Sequence, residues 1–326
     1  PYLYKGRAYR RSDTATVEVD SVELRRLVLA GQNMNFEELP CHKQDLTFCA
    51  LEEKLEAEHI VKALNGDVLR TFNLFNFEAG FNNAALIVSD QNTFPGIDVA
   101  RFGENINTIA DRATFEGTSV IGQIDGACTM FERYYSVETI EGARRTTHYS
   151  IPYEAFREAV ANAVAHRTWD VNAKIRIAMR PDHIEISSPG GLPAGLGRDE
   201  YLRGFISQLR NPILANVLFR LNIIEMFGTG IVRIRSSYAQ YEQKPEFDVS
   251  ENAVRVTLPV TDAKPALTSD EELVYQFVKE EGSAASGQIV ANFGFGKDKA
   301  VKLLRSLVEK RYVEKTGTGR GTRYRV

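Results

Sequence analysis

One segment, Glu154 to Arg167 (EAFREAVANAVAHR), constrains the fold more than any other part of the chain. It places Glu158, Asn162 and His166 at successive i, i+4 spacing, which stacks the three side chains on one face of an α-helix. A separate apolar stripe at helical spacing is formed by Phe156, Ala159, Val160, Ala163 and Val164. Alanines flank the polar row where a solvated face would carry Lys and Glu. The pattern therefore predicts a polar face that packs against a ligand or another element. The alternative is an Ala-rich, partly buried helix with a few polar residues.

The composition is that of a globular protein. The 326 residues are 43% hydrophobic and 25% charged, and the length favours two or three domains. No stretch approaches the ~20 apolar residues of a membrane span. The three cysteines, Cys41, Cys49 and Cys128, make no disulfide framework, which favours a reducing, cytoplasmic setting.

The charge is unevenly distributed along the chain. Residues 285–326 contain ten Lys and Arg but only three Asp and Glu, a net charge of +7, whereas the rest of the chain carries −10. A basic C-terminal segment on an otherwise acidic chain is typical of proteins that bind polyanions. The alternative interpretation is an ordinary solvated surface.

Three shorter segments give local predictions. The apolar run Ala84–Val88 (AALIV) predicts a short buried strand. The polar segment Thr139–Thr147 predicts a turn or loop. Asp262–Leu267, which contains Lys264-Pro265, predicts a linker.

Two glycine-rich turns follow the predicted helix Glu154–Arg167 along the chain. Lys174–Arg180 and His183–Ser187 alternate between apolar and polar residues, which predicts two strands. Ser188-Pro189-Gly190-Gly191 then forms the first turn, and after a long loop Asn211-Pro212 opens a helix. The second turn, Phe227-Gly228-Thr229-Gly230, precedes another helix.

This order of parts resembles the GHKL (Bergerat) ATP-binding fold of gyrase B subunits, Hsp90-type chaperones and histidine kinases. The stretches REAVANAVAHR, ISSPGGLP, RNPILANVLFRL and EMFGTGI resemble more closely a bacterial subfamily named for the RecG-like helicase C-terminal module. The resemblance covers about residues 75–260. The phosphate-binding motif of helicase motors, Gly-x-x-x-x-Gly-Lys-Ser/Thr, does not occur in the sequence.

The resemblance implies roles for particular residues. Glu158 matches the superfamily's water-activating base, and Asn162 matches its Mg²⁺ ligand; carboxylate and amide oxygens suit these tasks. Gly228 and Gly230 match the second glycine box, where backbone N–H groups and a helix N-terminus approach phosphate. The full set of cofactor-binding positions that the resemblance implies is Asn162, His166, Gly190, Gly191, Asn211, Gly228, Thr229 and Gly230. The implied cofactors are ATP and Mg²⁺.

One departure limits what the resemblance implies. The superfamily's first glycine box begins with an Asp that hydrogen-bonds the adenine amino group, and Ser187-Ser188-Pro189-Gly190-Gly191 stands in that place here. A site built to pair with adenine loses discrimination when that partner is missing. The sequence therefore favours a ligand sensor over an enzyme.

The C-terminal segment gives a second pattern. Thr268 or Ser269 caps a first helix, Ser286 starts a second, and Lys297–Lys310 forms a third. A hairpin follows, with a Gly-rich turn at Thr316–Gly321. Helix–helix–helix–hairpin resembles a winged helix-turn-helix DNA-binding domain, whose third helix enters the major groove. The residues predicted to contact DNA are Lys297, Lys299, Lys302, Arg305, Arg320 and Arg323. The alternative is a winged helix that contacts other proteins.

The first residues resemble another family. PYLYKGRAYRRSDTATVEVDSVELRRL is similar to the tail of a Schlafen/AlbA-type nucleic-acid-binding domain, which implies an N-terminally truncated chain. The alternative is an ordinary hairpin and helix that caps the middle domain.

Together these patterns predict an α+β multidomain protein, with a GHKL-like α/β sandwich followed by a winged helix. We divide the chain into a Schlafen/AlbA-like tail (1–34), an α/β middle region (35–147), a GHKL ATPase-like domain (148–262) and a winged helix (263–326).

The predicted function is that of a cytoplasmic, homodimeric transcriptional regulator. It would bind double-stranded DNA and sense a nucleotide or other small molecule, with no membrane partner. The alternatives are a Mg²⁺-dependent ATPase that acts on DNA and a structural interaction module.

Overall fold

The structure is a computed structural model that describes residues 3–12, 14–103, 105–141, 144–193, 195–204, 208–226, 228–261, 267–310, 312–317 and 319–326. Side chains are described for all of these except residues 12, 139–141, 144–145 and 320. Residues 262–266 of the predicted linker Asp262–Leu267 lie outside the described residues. The chain divides into two compact units, Pro1–Thr261 and Asp262–Val326.

The first unit is built from helices and strands that alternate irregularly along the chain. Its helices are α1 (Ser21–Gly31), α2 (Cys49–Ala57), α3 (Gly66–Thr71), α4 (Asn83–Val88), α5 (Val120–Tyr135), α6 (Tyr153–His166), α7 (Arg198–Arg203), α8 (Pro212–Arg220) and α9 (Gly230–Ser237). Its strands are β1 (Tyr9–Ser12), β2 (Ala15–Glu18), β3 (Phe75–Asn76), β4 (Gly80–Phe81), β5 (Ile97–Phe102), β6 (Ile109–Phe115), β7 (Ser136–Glu141), β8 (Arg144–Tyr149), β9 (Ile175–Met179), β10 (His183–Pro189), β11 (Glu246–Val249) and β12 (Ala253–Pro259). A 3-10 turn spans Phe36–Glu38.

A six-stranded mixed sheet organises this unit, in the order β11-β12-β10-β9-β5-β6. All neighbours in the sheet are antiparallel except β5 and β9, which are parallel. The ranges 35–147 and 148–262 both contribute strands, so they share one sheet and one hydrophobic core. Helix α6 packs on β10 and β12, between α5, α8 and α9. The mixed α/β sheet is consistent with an ATPase-like α+β fold.

Helix α6 has the apolar stripe predicted for it. Phe156 and Val160 have no exposed surface, and the Phe156 ring stacks on Phe131 with 4.3 Å between centroids. The C-terminal carbonyls of the helix find buried partners in other elements. Ser188 Oγ donates to Ala163 O at 2.7 Å, and Asn211 Nδ2 donates to Ala165 O and Arg167 O, each at 2.8 Å. These bonds satisfy carbonyls that a helix end leaves without partners.

Two of the local predictions are wrong. Ala84–Val88 lies within helix α4, because Asn82 caps its start by accepting from Ala85 N and because all of its residues are buried. A short apolar run buried on every side does not reveal its periodicity. The described residues of Thr139–Thr147 lie in strands β7 and β8 rather than in a loop, since cross-strand hydrogen bonding overrides the polar composition. Gly142 and Ala143 lie outside the described residues.

The second unit contains three helices and a three-stranded sheet. The helices are α10 (Ser269–Glu280), α11 (Ser286–Phe293) and α12 (Lys297–Glu309), as the sequence predicts. The strands β13 (Ser283–Ala284), β14 (Glu314–Thr316) and β15 (Arg323–Arg325) pair in the order β13-β15-β14. The unit has its own core, to which α10, α11, α12 and β15 all contribute. At the start of α10 the buried Glu271 accepts from Lys310 and Ser306, which ties α10 to the end of α12.

A buried carboxylate that the sequence did not reveal holds the start of α8. Glu37 has no exposed surface and accepts from Ile213 N at 2.6 Å and Leu214 N at 2.9 Å. Pro212, at the first position of the helix, has no N–H to offer, so Glu37 satisfies the next two donors. Burial raises the pKa of Glu37 to about 7.

Glu37 makes stability depend on pH. Because its folded pKa lies above the usual 4.5, the folded state holds the proton more tightly, and this stabilisation is lost as pH rises from 4.5 through 7. Relative to Glu37→Gln, we expect the wild-type free energy of unfolding to fall by about 3 kcal/mol over that range. Urea unfolding, followed through the fluorescence of the single Trp169, measures the difference. A wild-type curve parallel to that of Glu37→Gln would contradict it, and Glu53→Gln on the exposed surface of α2 is the control.

Candidate functional site

The polar row of α6 forms one wall of a cleft in the first unit. Asn162 and His166 line the cleft together with the two glycine turns and α9, whereas Glu158 is not among the lining residues. The cleft is open to solvent and has a volume of about 90 Å³, measured as the space that the centre of a water-sized molecule can occupy. The described residues of the row and of both glycine turns therefore lie close together in space, although no sequence pattern fixes their distances.

Glu158 and Asn162 form a hydrogen-bonded pair on α6. Asn162 Nδ2 donates to Glu158 Oε1 at 3.0 Å. Glu158 is only 4% exposed, and burial raises the pKa of its carboxyl group above the usual value. A higher pKa suits a proton acceptor near neutral pH, and the hydrogen bond from Asn162 engages one of the two carboxylate oxygens.

His166 lies at the other end of the row and is half-buried against the cleft. Burial and the charge of Arg210 lower the pKa of its imidazole to about 4. The ring is therefore neutral at physiological pH. It offers one hydrogen-bond donor and one acceptor to the cleft.

The first glycine turn is shaped by packing within the protein. Gly190 has a φ of +99°, which L-residues rarely adopt, and a Cβ there would overlap the Thr168 side chain. A Cβ on Gly191 would collide with the carbonyl oxygen of Glu251. Ser188, in the segment that replaces the superfamily's Asp, lines the cleft, and its hydroxyl donates to Ala163 O. Both glycines line the cleft, and both also have a structural reason to be glycine.

The second glycine turn packs directly on the polar row. Gly228 has a φ of +69°, and Thr229 occupies the N-cap position of α9. A Cβ added to Gly230 would lie 2.5 Å from Asn162 Nδ2 and 2.8 Å from Glu158 Oε1. The start of α9 and the Glu158–Asn162 pair are thus in close contact, and Phe227 lies outside the described residues.

Asn211 does not reach the cleft surface with the other predicted residues. It is 2% exposed, and its amide donates to the end of α6 as described above. The structure gives this side chain a position from which it holds helix α6 in place.

Gly230 packs closely on Asn162, the residue that the resemblance assigns to Mg²⁺, because a Cβ on Gly230 would lie 2.5 Å from Asn162 Nδ2. Among the described residues that line the cleft, none is Lys or Arg. Within the described part of the chain, no group of three or more His, Cys, Asp or Glu side chains could hold a metal ion, but Mg²⁺ in a nucleotide site commonly takes only one or two protein ligands beside phosphate and water oxygens.

Sequence reasoning missed most of the apolar lining of the cleft. Its walls include Ile186, Val254 and Val256 from the sheet and Ile231 and Ile234 from α9. Strand alternation was the available signal, because Ile184, Ile186 and Ser188 fall on one face of β10. Tyr201 of α7, which also lines the cleft, had no recognisable signal.

The predicted DNA contacts lie in the second unit. Lys297, Lys299, Lys302 and Arg305 are all exposed on α12. Lys299 pairs with Asp270 at 2.7 Å, and Arg305 pairs with Glu309 at 3.1 Å. Arg323 is exposed on β15, where its guanidinium approaches Ser283 Oγ at 3.4 Å. The backbone of Arg320 lies in a 3-10 turn, Gly319–Gly321, and its side chain is outside the described part.

Comparisons with known proteins bear on the first unit. The family described as "Putative ATP-dependent DNA helicase recG C-terminal" matches residues 172–258. The matched segment contains both glycine turns, β9 to β11 and all but the last residue of β12, but it begins after α6, so Glu158, Asn162 and His166 lie outside it. No curated protein matches the chain.

Among solved structures, the chain is similar to that of the DIP2311 protein from Corynebacterium diphtheriae. The TM-score is 0.61 at 18% sequence identity, over 98% of this chain and 70% of that chain. At this identity the likeness shows the fold alone. In the described part of the chain, no helix combines the length and the apolar character that crossing a lipid bilayer requires.

Proposed function

We propose that this chain is a DNA-binding transcriptional regulator. The C-terminal unit would bind double-stranded DNA as a winged helix, and the cleft beside α6 would bind a small effector. The observation that carries the proposal is the exposed basic face of α12, formed by Lys297, Lys302 and Arg305.

The second unit has a helix and a strand pair that could serve a DNA-binding domain of this kind. Helix α12 follows α11 after a short turn, and strands β14 and β15 pair beyond it. In this proposal α12 would be the recognition helix and the β14–β15 pair the wing. Exposed Lys and Arg side chains release counterions from DNA when they contact phosphates. The exposed ion pair of Arg305 with Glu309 contributes little free energy, so a DNA phosphate can replace the Glu309 carboxylate.

The proposal extends to assembly and location. A homodimer in the cytoplasm would present two copies of α12 to successive half-sites on one face of the duplex. Sedimentation of the full chain, alone and with duplex DNA, tests this part.

The alternative function is ATP hydrolysis. It is favoured by the family match, whose description names an ATP-dependent helicase, whereas the contact between Gly230 and Asn162 weighs against it. Phosphate release with Mg²⁺, ATP and duplex DNA separates the two proposals. We expect wild type and Glu158→Ala to show the same background rate. Release by wild type that Glu158→Ala abolishes would favour the ATPase and contradict the regulator without enzymatic activity.

A further inference from the structure

The first unit contains a second pocket, which shares no described lining residue with the cleft beside α6. Its lining comes from residues in and beside the β3–β4 hairpin, from the start of α8, and from two short segments at Glu38 and Met226. The centre of a water-sized molecule can occupy about 540 Å³ of this pocket, against about 90 Å³ of the cleft. A volume of this size is within the range of small-molecule sites.

The charge of the second pocket disfavours an anionic ligand. Glu38 is the one charged residue among the described lining residues, which include no Lys or Arg. A phosphate group would therefore meet a carboxylate without a compensating cation. A single carboxylate also supplies less ligand charge than tight Ca²⁺ binding requires. The described lining favours an uncharged ligand.

Asparagine side chains supply most of the hydrogen-bonding groups of the second pocket. Asn82 is occupied by the fold, because its Oδ1 caps α4 and its Nδ2 donates to Asn73 O at 2.7 Å. Asn76 Oδ1 accepts from Glu78 N at 2.9 Å, which leaves the Nδ2 amino group of Asn76 as a donor. The side chains of Asn73 and Asn216 form no hydrogen bond with other described residues. Both amides are therefore available to a ligand.

Glu38 adds an acceptor to these amides. Its Oε1 accepts from the backbone N–H and from Nδ2 of Asn35, each at 2.9 Å, and its Oε2 has no partner among the described residues. The pocket thus presents amide donors, amide acceptors and one carboxylate acceptor. A hydroxyl group both donates and accepts, so it can bond to every one of these groups.

Aromatic and aliphatic side chains form the rest of the described lining. Phe75 and Phe81 are cross-strand partners on β3 and β4, and their ring centroids lie 5.0 Å apart. Pro212, Ile213 and Met226 add apolar surface from α8 and from the segment that follows it. A ligand that matches the whole pocket needs several hydroxyls and one apolar face. A pyranose ring has both, because its hydroxyls project from the edge while its axial C–H bonds form an apolar face.

We infer that this second pocket binds a neutral pyranose sugar. The sugar hydroxyls bond to Asn73, Asn216 and Glu38. The C–H face of the ring lies against Phe75 and Phe81. The inference goes beyond the proposed function and does not rest on it, because none of the pocket's described lining residues belongs to α12 or to the cleft.

Titration calorimetry of the full chain with glucose, galactose and mannose, and with the 6-phosphate of each, tests the inference. We expect at least one of the neutral sugars to bind with a dissociation constant below about 5 mM. Its 6-phosphate should bind about tenfold more weakly or not at all, because the phosphate meets Glu38 without a cation. Binding of none of the three neutral sugars would overturn the inference, as would tighter binding of the 6-phosphates.

An asparagine variant locates the sugar. Asn216→Ala should weaken binding of the tightest of the three sugars by about tenfold, the effect expected from losing one or two hydrogen bonds. Asn107→Ala, which removes an exposed amide from the connection between β5 and β6, is the matched control and should bind as wild type does. Melting curves from Trp169 fluorescence report whether each variant is folded. A folded Asn216→Ala variant that binds the sugar as tightly as wild type would contradict the site.

Discussion

Replacement of Lys297, Lys302 and Arg305 by alanine should lower the affinity of the full chain for duplex DNA by about 100-fold near 0.1 M salt. Each of these side chains is exposed on α12 and can neutralise one phosphate. Three lost phosphate contacts should also reduce the slope of log affinity against log salt by about 2.7. Fluorescence anisotropy with a labelled duplex at several salt concentrations measures both quantities.

Two controls accompany the triple variant. Lys279→Ala removes an exposed cation from α10, in the same unit, and should change the affinity less than about twofold. Far-ultraviolet circular dichroism shows whether the triple variant keeps its helices. A folded triple variant that binds DNA as tightly as wild type would remove α12 from the DNA interface.

Asn211→Ala should lower the free energy of unfolding of the first unit by about 3 kcal/mol. The buried amide donates to both Ala165 O and Arg167 O, and its loss leaves two buried carbonyls at the end of α6 without these donors. For a unit of this size, the change corresponds to a fall in melting temperature of about 6 °C. Urea and thermal unfolding, followed through Trp169, report the effect.

Asn216→Ala is the matched control for Asn211→Ala. Asn216 is half-buried on α8, the helix that Asn211 precedes, and its replacement should cost less than about 1 kcal/mol. Equal stabilities of the two variants would show that the bonds from Asn211 do not hold the end of α6.

The regular features of α6 could be predicted from the sequence because its periodicity is strong. Its apolar stripe and its Glu158, Asn162 and His166 row follow from helical spacing alone. The end of the helix could not be predicted in the same way. Its carbonyls are satisfied by Ser188 and Asn211, residues 25 and 46 positions away from the carbonyls that they bind. No local pattern encodes such distant partners.

The sequence predicted which residues belong to the candidate site better than it predicted how they are arranged. The resemblance brought the polar row and the two glycine turns together, and the structure places them around one cleft. The close contact of Gly230 with Asn162 depends on how α9 packs on α6, which no spacing rule determines. The sequence could not predict that Glu37 accepts hydrogen bonds at the start of α8, because its partners lie more than 170 residues away in the chain.

The salt dependence of wild-type DNA binding is the most direct test of the central claim that the second unit binds DNA. The full chain should be titrated with one labelled duplex between 50 and 200 mM salt. Binding through a basic helix face predicts that log affinity falls linearly with log salt, with a slope of about −3 or steeper. An affinity that does not change with salt would contradict DNA binding by this surface and favour a protein-interaction module.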